Sequence, residues 1–202
     1  MPKAFTLTLI LKDKDMRIIT GKAKGINLKT LEGEATRPTS QRVKEAIFSM
    51  LQFDIEGRVV LDLFSGCGQM GLEALSRGAK QAVLVDKSLD AIKIITDNVK
   101  KTGFFDLCEI RKEDYASFLK RYRGDKFDIV FLDPPYAAGF YAPALTALVE
   151  GDMLKPTSLI VCESDNAEIF GKDKALADKF DVIKQSGYGR VCITLLSPKK
   201  EM

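Results

Sequence analysis

The sequence predicts an α/β fold of the Rossmann-like, doubly wound kind, a mostly parallel sheet covered by helices on both faces, and three observations carry that reading. Runs such as Val59-Val60-Leu61 and Ile129-Val130-Phe131-Leu132 are apolar at every position, which suits strands buried on both faces. From Gly57 onward such runs alternate with amphipathic stretches of helical length, the order expected of parallel strands joined by crossover helices. A chain of 202 residues holds one domain of this type and a small appendage.

The first 15 residues read as an N-terminal extension. Ala4 to Leu11 is apolar but too short for a bilayer, and the charged Lys12-Asp13-Lys14-Asp15 follows where a signal peptide would place small residues. Residues 16–36 read as a basic β-hairpin and loop: Arg17 to Thr20 and Ile26 to Thr30 are β-forming, and Gly21-Lys22-Ala23-Lys24-Gly25 turns between them. The main domain then spans 37–202. It opens with an amphipathic helix over Gln41 to Phe53, whose apolar Val43, Ile47, Met50 and Leu51 fall at helical spacing.

Within this domain strands are predicted at Val59 to Phe64, Gln81 to Asp86, Leu107 to Lys112, Phe127 to Asp133 and Ser158 to Glu163. Helices are predicted at Gln69 to Arg77, Leu89 to Thr102, Tyr115 to Arg123, Ala142 to Glu150 and Ala167 to Asp178. Phe180 to Gln185 and Arg190 to Leu196 are separated only by Ser186-Gly187-Tyr188-Gly189, so they should pair antiparallel at one edge of the sheet.

Composition excludes several chemistries. With no histidine, imidazole base catalysis, histidine-assisted nucleophiles and histidine-ligated metals are all ruled out. Cys67, Cys108, Cys162 and Cys192 lie far apart with no C-x-x-C pair, so neither a zinc site nor a disulfide framework is expected, and a reducing, cytoplasmic setting fits. Charged residues at 29% and hydrophobic residues at 46% are ordinary for a soluble globular protein. A net charge of +3 tilts toward anionic partners without establishing one.

The first chemical signal is Asp62-Leu63-Phe64-Ser65-Gly66-Cys67-Gly68, which ends a strand and opens a helix. Glycines there let the backbone turn sharply beside a ligand, and the helix offers free N–H groups. Gly66, Gly68 and Gly71 also spell G-x-G-x-x-G with Asp86 following, which formally meets a dinucleotide pattern. Asp62 separates the options: its carboxylate would repel a pyrophosphate and attract the ammonium group of S-adenosylmethionine. Asp86, with Lys87 beside it, suits the ribose hydroxyls, and Asp114, followed by Tyr115, suits the adenine amine. Singly, each acidic residue is better read as a loop carboxylate or helix cap; three at successive strand ends are harder to dismiss.

The second signal is Asp133-Pro134-Pro135-Tyr136 after an apolar strand. Two prolines fix the backbone, so the Asp133 carboxylate and the Pro134 carbonyl form a rigid pair of acceptors matched to the two protons of an exocyclic amine. Such a grip localises the amine lone pair without a strong base. Tyr136 offers a ring for a base taken out of its stack, with Phe140 or Tyr141 as helpers.

The third signal is basic. Arg37, Arg42 and Lys44, with Arg17, Lys22, Lys24 and Lys29, concentrate positive charge ahead of the main domain, as a phosphate-binding surface would, although a solvated basic face reads equally well on charge alone.

Together, Arg17-Ile18-Ile19-Thr20-Gly21, Arg37-Pro38-Thr39 with Arg42-Val43, the glycine loop continuing through Gly71-Leu72-Glu73-Ala74-Leu75-Ser76-Arg77-Gly78-Ala79, and Asp133-Pro134-Pro135-Tyr136 resemble the bacterial 16S ribosomal RNA guanine-N2 methyltransferases of the RsmD type. The resemblance runs from about Met16 to the C-terminus. It implies the class I methyltransferase fold with a seven-stranded sheet, S-adenosylmethionine as cofactor, and 16S rRNA of an assembling or assembled small subunit as partner. It further implies a cytoplasmic monomer needing no membrane and no metal. Carried over by position, Asp62, Phe64, Gly66, Gly68, Asp86, Lys87, Asp114 and Tyr115 would contact the cofactor, Asp133 to Tyr136 the base, and Arg17, Lys22, Lys24, Arg37, Thr39 and Arg42 the RNA. D-P-P-Y alone is shared with DNA amine methyltransferases, so a DNA adenine-N6 enzyme is one alternative; a nicotinamide-dependent oxidoreductase and a non-catalytic ribosome-assembly factor are others.

Overall fold

The structure, a computed structural model, describes residues 16–31, 38–135 and 139–199, with only the backbone described for 38–40. Its centre is a seven-stranded sheet. In chain order come α1 (Pro38–Met50), β1 (Val59–Asp62), α2 (Gln69–Ser76), β2 (Gln81–Asp86), α3 (Leu89–Thr102), β3 (Cys108–Lys112), α4 (Tyr115–Arg121), β4 (Phe127–Leu132), α5 (Tyr141–Glu150), β5 (Leu154–Ser164), α6 (Lys174–Ala177), β6 (Phe180–Tyr188) and β7 (Val191–Pro198).

The continuous apolar runs are explained by the two layers they serve. Val60, Ile129 and Phe131 point to one face and join a core with Ile18 and Leu28 of the N-terminal segment, Val43 and Ile47 of α1, Leu72 of α2 and Ile95 of α3. Val59, Leu61, Val130 and Leu132 point to the other, against Phe118 and Leu119 of α4 and Leu145 and Leu148 of α5. Neither face of the central strands meets water, so period-two alternation disappears from the sequence.

The strands lie in the order β3-β2-β1-β4-β5-β7-β6. The first five are parallel, while β7 runs antiparallel between β5 and β6. The chain thus winds outward from β1 to β3, then returns to lay β4 on the opposite side of β1, and a crevice opens at the carboxyl ends of β1 and β4 where the winding reverses. At the opposite edge Asp128 clamps the strand starts, accepting from Val59 N at 2.9 Å, Arg58 Nη1 at 3.1 Å and Lys155 Nζ at 2.6 Å. Burial alone would raise the Asp128 pKa, but these three donors outweigh it and hold the carboxyl below its ordinary value.

Three expectations need correction. The helix predicted over Ala167 to Asp178 contracts to Lys174–Ala177, because Gly171 takes φ +58° and Asp173 caps the short helix at Leu176 N. The strand predicted from Ser158 begins at Leu154 instead, with Pro156 accommodated where the β4–β5 register shifts. The N-terminal hairpin is short: it has one antiparallel bridge, Arg17 to Asn27, with Ile18 N, Gly25 N and Leu28 N bonding across it to Ile26 O, Ile18 O and Met16 O, while Ile19 N and Thr20 N turn to α2 and bond the Glu73 carboxylate, at 2.7 and 3.1 Å. Gly21 is required at the docking point. Its φ is +89°, and a Cβ there would lie 1.8 Å from the Ser76 carbonyl oxygen. Among the described residues no helix is long and apolar enough to cross a membrane.

Candidate active site

Asp62 ends β1 and sits opposite Phe131, two residues before Asp133 on the neighbouring β4. The two carboxylate-bearing positions therefore flank one crevice, at the carboxyl ends of adjacent parallel strands. They differ in solvation. Asp62 is 4% exposed, and its Oδ2 accepts from Gly71 N at 3.1 Å. Burial pushes the Asp62 pKa up to about 7, with the nearby Asp86 charge adding to the shift and the Gly71 N–H opposing it. Asp133 is exposed, and Pro134 behind it is buried.

The turn between β1 and α2 is held from both sides. Leu63 N bonds Phe131 O at 3.2 Å, Ser65 N bonds Val85 O at 3.0 Å, and the Ser65 hydroxyl donates to Asp62 O. Gly68 takes φ +80°, ending the turn in the left-handed region just before α2 begins. Asp86, at the end of β2, accepts from Gly66 N at 2.9 Å and Ser88 N at 2.8 Å. Each of its oxygens keeps a further lone pair for a hydroxyl donor. Lys87 beside it is exposed.

Asp114 caps α4 through Ser117 N at 3.0 Å, and its hydrogen bonds with Ser117 depress its pKa. The capping reading of this residue is thus realised, with the carboxylate exposed at the same edge. Phe64, Tyr115 and Phe140 form an aromatic triangle over the crevice, with centroids 5.3 to 5.9 Å apart. Tyr141 is spent otherwise: its hydroxyl donates to the Glu163 carbonyl at the end of β5.

The basic residues separate. Lys44, counted above as surface charge, is 1% exposed and lies 3.6 Å from the buried Glu73, with its Nζ donating to Arg17 O at 2.6 Å. Burial lowers its pKa despite the attraction of Glu73. Lys29 pairs with Asp97 at 2.6 Å. Arg17, Lys22, Lys24 and Arg42 are exposed. Lys22 and Lys24 lie at the C-terminal end of α2, where Lys22 N bonds Ser76 O at 2.8 Å, about 12 Å of helix from the glycine turn. Arg42 is carried the other way. Lys44 meets Glu73 and, one turn further along both helices, Phe48 meets Arg77, so α1 and α2 run in the same direction and the first turns of α1 lie toward the crevice end. Arg37 and Tyr136 fall outside the described residues, as does the side chain of Thr39.

Sequence reasoning missed three polar residues. Glu73 on α2 and Asn98 on α3 are fully buried, and Gln69, the first residue of α2, has a buried Oε1 with no hydrogen-bond partner among the described residues. For Asn98 the signal was present: it shares a helical stripe with Ala91 and Ile95 and so falls at a core position.

The family described as Conserved hypothetical protein 95 matches residues 16–197. The chain is 39% identical over 154 residues to the putative rRNA methyltransferase YlbH of Bacillus subtilis, covering 74% of this chain and 83% of that protein. It is 35% identical over 189 residues to the ribosomal RNA small subunit methyltransferase D of Haemophilus influenzae, covering 90% and 93%. Among solved structures, the putative methyltransferase yhhF from Escherichia coli superposes with a TM-score of 0.78 at 28% identity, covering 93% of this chain and 99% of that one. A model match over most of the chain, relatives above 30% identity and a shared fold agree, and the chain belongs to the family of the RsmD-type ribosomal RNA small subunit methyltransferases.

Proposed function

We propose that this protein methylates the exocyclic N2 amine of a guanine in 16S ribosomal RNA, with S-adenosylmethionine as the methyl donor. The observation that carries this reading is the juxtaposition of Asp62 and Asp133 on adjacent strands at the reversal of the sheet. One carboxyl is buried and seeks a cation; the other is exposed and rigidly backed by proline.

The residues present fit the donor. Asp62, strained by burial, gains most from an ammonium group. Asp86 has lone pairs for ribose hydroxyls, the Phe64, Tyr115 and Phe140 triangle offers ring faces, and the orphaned Gln69 Oε1 can accept from a ligand donor. S-adenosylmethionine bound there supplies an electrophilic methyl group. The chain's own residues do the rest. The Asp133 carboxylate and the Pro134 carbonyl accept from the two amine protons, localise the lone pair and aim it into the crevice. As the N–C bond forms the sulfonium S–C bond breaks, its electron pair staying on the sulfur of S-adenosylhomocysteine, and one amine proton leaves through Asp133, whose exposure passes it on to solvent. The same reading has the enzyme act as a monomer without a metal, in the cytoplasm, on an assembling or assembled particle.

Small subunits from a strain lacking the gene, incubated with the protein and S-adenosylmethionine, should gain one N2-methylguanine, mapped by mass spectrometry. Methylation of adenine in DNA instead, or tighter binding of NADH than of S-adenosylhomocysteine, would overturn the proposal.

A further inference from the structure

We infer that Asn98 is a positioning residue that locks the glycine turn and the N-terminal hairpin into one unit, so that seating of the cofactor and grip on the RNA are linked. This rests on the cofactor site proposed above and on the hairpin's exposed Arg17, Lys22 and Lys24 adding a secondary contact to the RNA.

The Asn98 side chain is fully buried and uses three hydrogen bonds on two separate segments. Its Oδ1 accepts from Lys29 N at 2.8 Å, while its Nδ2 donates to Lys29 O at 2.9 Å and to Cys67 O at 2.9 Å. Toward Lys29 the amide imitates a strand partner, pairing with both backbone groups of one residue. Toward Cys67 it holds the carbonyl between Gly66 and Gly68, where the backbone is least constrained. One turn earlier on α3, Ile95 backs the same turn: a Cβ on Gly68 would lie 3.4 Å from its Cγ1.

The hairpin has a second, separate anchor. Ser76 Oγ accepts from Ala23 N at 3.0 Å and donates to Thr20 O, at the far end of α2. Ser76 ends α2 while the glycine turn opens it, so the two anchors can be tested apart.

Calorimetric titration of S-adenosylhomocysteine into wild type, Asn98→Ala and Ser76→Ala is the test, with small-subunit RNA affinity measured with and without that ligand. Asn98→Ala should bind S-adenosylhomocysteine about tenfold more weakly even without RNA, and should lose the ligand-dependent change in RNA affinity. Ser76→Ala should lower the melting temperature yet keep both cofactor affinity and linkage. Amide hydrogen exchange on the wild-type protein needs no variant: added S-adenosylhomocysteine should slow the Lys29 amide together with those of Gly66 and Gly68. An unresponsive Lys29 amide, or an Asn98→Ala protein that binds the ligand as wild type does, overturns the inference. Failure of the wild-type protein to bind S-adenosylhomocysteine at all overturns the cofactor reading itself.

Discussion

Cofactor affinity should depend on pH through one buried carboxyl. In the free protein Asp62 titrates at about 7, raised from 3.8 chiefly by burial. A ligand ammonium demands the carboxylate, so below pH 7 binding must first expel a proton. If the bound form stays ionised down to pH 6, apparent affinity for S-adenosylhomocysteine at pH 6 is about tenfold weaker than at pH 8, and close to one proton is released per ligand at the lower pH. Titration calorimetry in two buffers of different ionisation enthalpy reads both quantities. The stability consequence has a definite sign. Because the folded pKa lies above the unfolded one, the contribution is intact below pH 3.8 and is lost as pH rises toward about 7, on the order of 4 kcal/mol in all. Asp62→Asn keeps an acceptor for Gly71 N and removes the charge, so it should melt higher than wild type at pH 8, lose that advantage below pH 4, and bind the ligand weakly at every pH. A wild-type affinity flat from pH 6 to 8, with no proton released, would refute the placement of the ammonium group at Asp62.

Other perturbations separate the parts of the site. Asp133→Ala should cut turnover by roughly 100-fold or more in a methylation assay while leaving S-adenosylhomocysteine affinity nearly unchanged. Asp86→Ala should instead raise the dissociation constant for that ligand first, since it also releases Gly66 N from its acceptor. Glu73→Ala leaves Lys44 buried without its counter-charge and orphans Ile19 N and Thr20 N; denaturant unfolding should show a loss of about 3 to 5 kcal/mol. Arg42→Glu should weaken small-subunit RNA binding more than Lys22→Glu with Lys24→Glu, because the hairpin lysines lie at the far end of α2 while the first turns of α1 lie toward the crevice; the opposite ranking in a filter-binding assay at fixed salt would make the hairpin, not α1, the main RNA contact.

The central sheet was legible because burial on both faces writes itself as unbroken apolar runs, and β2 and α3 fall where their patterns begin and end. The glycine turn and the Asp133 segment stood out in the sequence because glycine admits backbone conformations closed to other residues and proline fixes φ, so both mark irregular turns wherever they stand. Features that depend on distant partners were not. Lys44 looks like surface charge until Glu73, on another helix, is brought against it. The hairpin looks like two full strands until α2 captures the Ile19 and Thr20 donors, and the helix expected around Ala167 is cut short by Gly171 and the cap at Asp173. Asn98 and Gln69 show the same limit, since a polar residue on an apolar stripe announces burial but not which atoms it will meet.

The insertion of β7 between β5 and β6 has a consequence for how the protein is made. A ribosome emitting this chain delivers β5 and β6 before the strand that joins them, so until residues 191–198 emerge, the open edge of β5 and the apolar Ile160 and Phe180 await their partner. Nascent chains stalled just before Val191 should therefore be captured by holdase chaperones and cleaved readily by protease, whereas chains stalled far enough past Pro198 for β7 to clear the exit tunnel should resist cleavage.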